Sequence, residues 1–122
     1  MPYVCSNPAS YVGKKIGNGH CVIFVQESTS PRAPSTNLWT EGCKVRGDDS
    51  IEKGTAIATF TDGSYPSKPT GNHAAIYDGQ TDAGIWVYDQ WVSQGQVKRR
   101  FIRFKDGTGS PSNDGDAFSV IE

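Results

Sequence analysis

Three residues far apart in the chain have the types that nucleophilic amide chemistry requires: Cys21, His73 and Asp89. A cysteine attacks a carbonyl as the thiolate, so it needs a setting that lowers its pKa and a base to take its proton. Cys21 sits where the polar turn Gly17-Asn18-Gly19-His20 runs into the apolar block Val22-Ile23-Phe24-Val25. If that block is a helix, Asn18 or Gly19 caps it and Cys21 falls in its first turn. There the free N–H groups and the positive end of the dipole favour a thiolate. An imidazole beside a carboxylate supplies the base. The carboxylate fixes the ring tautomer and stabilises the imidazolium, and the ring can take a thiol proton and later give it to a leaving amine. A free cysteine is more often a core residue, but a core thiol needs neither a glycine turn before it nor a His–Asp pair after it.

The elements that must carry these residues follow from pattern and punctuation. The block from Cys21 to about Ser28 is continuously apolar, and its capping residues favour a helix over a buried strand. Ser28 to Ser35 holds two prolines and is a loop; Thr36 to Trp39 begins a short helix that Gly42 or Gly47 would stop. From Gly54 onward the chain turns β-prone. Strands are expected at Thr55–Phe60, His73–Tyr77, Ile85–Trp91, Gln96–Phe104 and Ala117–Ile121, with a surface loop from Gly63 to Gly71 and a long one from Lys105 to Asp116. A helix followed by antiparallel strands is an α+β layout. Folding the hairpin symmetrically about Thr81 sets Tyr77 opposite Ile85, Ala75 opposite Val87 and His73 opposite Asp89. Opposed residues share a face with Cβ atoms ~5 Å apart, and a slip of one residue would part His73 from Asp89.

Other candidates rank below this set. His20 adjoins Cys21, and neighbouring helix residues diverge by roughly 100°, so it lines the site instead of serving as base. The N–H of Cys21 is the natural oxyanion donor, with Gly19, His20 and Asn72 as further lining or oxyanion candidates. A metal site from His20, Cys21 and His73 lacks a recognisable ligand pair, and no Cys-x-x-Cys spacing marks structural zinc. No cofactor is expected. Gly13 and Gly17-Asn18-Gly19 resemble a phosphate loop only superficially, because no strand precedes them. Lys98-Arg99-Arg100 with Arg103 and Lys105 reads as solvated charge on a strand, with Phe101 and Phe104 in the core. Trp39, Trp86 and Trp91 read as core, or as groove lining where exposed.

The bulk numbers bound the rest. A chain of 122 residues builds one core, hence a single domain over residues 1–122. The formal net charge of −1 gives no reason to expect nucleic-acid or membrane binding. No apolar run approaches the ~20 residues of a membrane span, and the start of the chain lacks the charged and apolar regions of a secretory leader. Three cysteines cannot all pair internally; Cys5 and Cys43 could do so in an oxidising compartment, leaving Cys21 free.

Gly-His-Cys opening an apolar helix, then Gly-Thr-Ala-Ile-Ala-Thr-Phe, Gly-Asn-His-Ala-Ala-Ile-Tyr and Tyr-Asp-Gln-Trp, resembles the papain-like amidases of the NlpC/P60 and CHAP type over about residues 17–104. Within that group it most resembles the small amidase effectors of type VI secretion, and the third family of those. The resemblance implies a Cys-bearing N-terminal helix packed on an antiparallel sheet of about five or six strands, and a Cys21–His73–Asp89 triad. It implies a cysteine amidase cutting the peptides of peptidoglycan, for the third family at the cross-link between D-alanine and meso-diaminopimelate. It also implies synthesis in the cytoplasm without a signal peptide, export to act in a rival cell's periplasm, and a cognate immunity protein over the groove. The usual NlpC/P60 pattern has Asp-Cys-Ser around the nucleophile where His20 and Val22 stand here. A non-catalytic binding module on the same scaffold and a peptidase or transglutaminase-like enzyme acting on protein are the alternatives.

Overall fold

A computed structural model describes residues 2–122. Helix α1 (Cys21–Ser28) precedes six strands: β1 (Glu41–Lys44), β2 (Ala56–Thr59), β3 (Ala74–Gln80), β4 (Gly84–Asp89), β5 (Lys98–Arg103) and β6 (Phe118–Ile121). They form one sheet in the order β1-β6-β2-β3-β4-β5, with every neighbouring pair antiparallel. This is the α+β, papain-like layout expected from the sequence.

Composition explains why α1 lies where it does. On one face of the sheet Ala56, Ala58 and Ala74 present small side chains, and Phe24 and Val25 of α1 pack into that floor with no exposure. Burying a side chain such as Phe24 contributes about 2–3 kcal/mol. The opposite face carries Ile57, Ala75, Tyr77, Ile85, Val87, Ile102, Phe118 and Val120. β2 is buried on both faces, which is why its sequence Ala-Ile-Ala-Thr shows no alternation.

Several boundaries depart from expectation. The helix cap is His20, not Asn18 or Gly19, and it makes no side-chain cap bond; Asn18 instead accepts the His20 N–H through Oδ1 at 3.1 Å. Glu41–Lys44, expected as a helix end, is an edge strand held by β6, because long-range pairing overrides the local glycine signal. The β3–β4 connection shrinks to residues 81–83 as both strands extend into it.

The hairpin register differs as well. Tyr77 pairs with Val87 and Ile76 with Tyr88, and an irregularity lies between Tyr77 and Gln80, where Gly79 takes φ +107°. The pairing is thus offset by two residues from the symmetric fold. A two-residue offset keeps every side chain on its face, so His73 and Asp89 become diagonal neighbours instead of direct partners.

Candidate active site

The nucleophile loop is shaped by backbone bonds. Gly17 and Gly19 take φ +55° and +88°, a region that side chains disfavour, and the Gly19 N–H closes the turn on the Ile16 carbonyl at 3.0 Å. A buried glutamine on β4's end holds this loop against the sheet. Gln90 accepts the Ile16 N–H at 3.0 Å and donates to the carbonyls of Ile16 and His20, each at 2.9 Å. Cys21 follows at the first position of α1, half-buried.

His73 stands just before β3, with its backbone N–H on Thr59 Oγ1 and its carbonyl accepting the Thr59 N–H, both at 3.0 Å. Its ring is walled edge-on by Trp91 and Phe118. His73 Nε2 meets Asp89 Oδ2 at 2.8 Å, with Asp89 fully buried at the end of β4. That engagement leaves Nδ1 as the nitrogen free to serve Cys21. Burial pushes the imidazole's pKa down, but its bonds to Asp89 and Cys21 and their charges outweigh this and raise it to about 9. Burial likewise pushes the Cys21 thiol up, yet the His73 bond and charge, helped by the Ala74 N–H and the Tyr65 hydroxyl, hold it below the ordinary thiol value. Both shifts have the sign that favours a thiolate beside an imidazolium.

Tyr65 completes the first contact layer around the sulfur and was invisible in the sequence. Its hydroxyl lies 3.9 Å from Cys21 Sγ and accepts from Asn72 Nδ2 at 3.1 Å. While Asn72 donates to this oxygen, the Tyr65 O–H can donate toward a Cys21 thiolate. Burial first, then the Cys21 charge, raises its pKa, so it stays a donor. Asn72 therefore acts one step back, also accepting the Lys68 N–H. Gly19 shapes the loop, and His20 is exposed, offering its carbonyl to Gln90 instead of its ring to the sulfur. Only a proline-containing loop flanks Tyr65 in the sequence, so no local signal singled it out.

Arg100 also departs from its reading as solvated charge. Its Nε donates to Asp89 Oδ2 at 2.7 Å and its guanidinium lies over Trp91, 4.7 Å from the ring centroid. Arg99 and Arg103 point the other way, over Trp86 and Phe101, and those aromatics stack on each other at an edge of the sheet instead of entering the core. The three cysteines are unpaired: Cys5 is buried, and Cys43 is exposed on β1.

A helix-borne cysteine set near a histidine and an aspartate from neighbouring strands, on a papain-like α+β fold, is an arrangement able to support cysteine-nucleophile chemistry. Comparison with known proteins narrows that class. The family model described as domesticated amidase effector 2 matches residues 1–121, and the chain belongs to this family. A type VI secretion amidase effector 2 protein of Salmonella typhi is 42% identical over 135 residues, covering 100% of both chains. Domesticated amidase effector 2 of Ixodes scapularis is 39% identical over 123 residues, covering 97% of this chain and 83% of the relative. The solved structure of a type 6 secretion amidase effector 2 superposes with a TM-score of 0.84 at 34% identity, over 98% of this chain and 94% of that one. The amidase-effector resemblance stands, but the family is the second, not the third. The motifs that carried the resemblance surround the chemistry-bearing residues, which report the kind of reaction and not the family's number. The specific cross-link expected from a third-family membership loses that basis.

Proposed function

We propose that this protein is a cysteine amidase that hydrolyses an amide bond in peptidoglycan peptides, with Cys21 as nucleophile, His73 as base and then acid, and Asp89 as the orienting group. The observation that carries this reading is the His73–Asp89 bond of 2.8 Å beside a thiol whose pKa is depressed. A binding module has no use for a polarised sulfur. The names of the amidase-effector relatives supply the reaction class.

Cys21 Sγ attacks the scissile carbonyl, forming a C–S bond. The oxyanion is met by the Cys21 N–H at the helix start and by the Tyr65 O–H. As the C–N bond breaks, His73 Nδ1 gives its proton to the departing amine, leaving a thioester. Water then attacks that thioester, losing a proton to His73; the acid departs and the sulfur returns as thiolate. Asp89 holds the ring so that Nδ1 faces the sulfur throughout.

The name of the Salmonella typhi relative also supports export by type VI secretion; action in a rival's periplasm and a cognate immunity protein over the cleft are part of the same proposal. Trp91 and Val92, 36% and 57% exposed beside the nucleophile loop, offer such a partner an apolar hold. Digestion of purified peptidoglycan with mass analysis of the soluble products tests the reading and identifies the bond. Products are expected from the parent and none from Cys21→Ala. Equal release by a folded Cys21→Ala protein would overturn it.

A further inference from the structure

A cavity of about 340 Å³ opens beside the site, lined by Asn72, His73, Trp91, Arg100, Ser112 and Asn113 among others. Cys21 is not among its lining residues. In an amide cleavage the acyl half stays on the sulfur while the amine leaves from the side of the general acid. A cavity that touches His73 and not Cys21 therefore receives the leaving half.

Among the described residues Arg100 is the one arginine or lysine lining this cavity, beside the His73 imidazolium, and it is prearranged. Its Nε is fixed on Asp89 Oδ2 and its plane lies on Trp91. Its side chain keeps 24% exposure, and its terminal nitrogens have no partner among the described residues. A guanidinium with its rear edge tied down and its front edge unoccupied is a two-pronged carboxylate receptor. The uncharged polar lining comes from Thr70, Asn72, Ser110, Ser112 and Asn113, with no carboxylate among the lining residues, so nothing there repels an anion. We propose that Arg100 is a specificity-determining residue that reads a free carboxylate on the leaving half of the substrate. Because Arg100 and His73 share one oxygen of Asp89, the group that recognises the substrate is one carboxylate removed from the group that protonates it.

This inference rests on the amidase reading, and the test separates the two. Two peptides share one acyl half and differ only in the leaving residue, which ends in an α-carboxylate or in the α-carboxamide. The parent is expected to cleave the carboxylate form with a kcat/KM about tenfold or more higher, the scale of one charge-assisted contact. In Arg100→Gln that ratio collapses to about one, and Arg100→Lys recovers part of it. The ratio is internal to each variant, so a general loss from a loosened Asp89 cancels. Binding of the same pair to Cys21→Ala, followed by calorimetry, gives a readout independent of turnover. Preferential binding of the carboxylate form that Arg100→Gln removes supports the subsite. An unchanged ratio in Arg100→Gln, or equal binding of both peptides by Cys21→Ala, overturns it. If the parent cleaves neither peptide while Cys21→Ala still prefers the carboxylate, the amidase reading fails and the subsite stands.

Discussion

Two buried aspartates sit in different parts of this molecule and are satisfied in opposite ways. Asp114, 2% exposed in the loop before β6, accepts three backbone N–H groups, Lys105 and Asp116 on Oδ1 and Gly107 on Oδ2, with the Asp116 side chain as a lesser neighbour. Burial pushes its pKa up, but those amides prevail and hold it below the usual carboxylate value. Asp89, with no exposure, takes both of its partners, His73 and Arg100, on Oδ2, while Oδ1 is buried with none. The first carboxylate fastens a loop mainly through backbone amides, which never change charge. The second is wired to groups that can move a proton or meet a ligand, and it tolerates an orphaned oxygen to do so. A buried polar atom without a partner costs about 1–3 kcal/mol, and such costs persist where function requires them.

The contrast can be broken most severely at the sulfur that Asp89 ultimately serves. Cys21→Ala is expected to lower peptide release to the background of the uncatalysed reaction while the protein still unfolds cooperatively. Assay and thermal unfolding on the same preparation check both. Asp89→Asn is expected to keep the fold and cut kcat by about 10²–10⁴, as the ring loses its fixed tautomer. Asp114→Asn should do the reverse, with near-parental kcat and a stability loss of about 1–3 kcal/mol from its unsatisfied amide bonds, read by urea unfolding. Near-equal effects of the two substitutions on kcat would erase the distinction.

Smaller tests sharpen it. Tyr65→Phe removes one oxyanion donor and is expected to lower kcat about 10–100-fold with KM little altered. The pH profile follows from the paired shifts. With His73 raised from 6.5 to about 9, the imidazolium's contribution to folding is complete below 6.5 and is lost as pH rises through about 9. The rate should fall over that same alkaline range, and Asp89→Asn should move that limb to lower pH. At neutral pH, iodoacetamide should alkylate Cys21 before the more exposed Cys43, whose thiol is pushed up by desolvation and by Asp48. Peptide mapping of the label distinguishes them.

The chemistry-bearing residues were legible in the sequence because each has a punctuated setting. Cys21 follows a glycine turn and opens an apolar block, and α1 spans Cys21–Ser28 as that block implied. His73 and Asp89 open and close a hairpin whose two-residue pairing offset left both on one face. Tyr65, Gln90 and Arg100 were not legible in these roles. Each acts through a contact across the fold, such as the bonds between Gln90 and Ile16 at a separation of 74 residues, and no local spacing encodes such a contact. β1 was missed for the same reason, since an edge strand of four residues exists only through its partner. The family number escaped because its motifs describe chemistry, not lineage.

The Gln90 clamp has a consequence for the protein's own maker. During synthesis the thiol emerges well before the strand that carries Asp89 and Gln90, and β5 with Arg100 emerges later still. Until those segments dock, residue 21 is an ordinary sulfhydryl on an unfastened loop. The arrangement that the proposed chemistry needs is therefore complete only when the last strands have docked, and a half-made or unfolded copy lacks it.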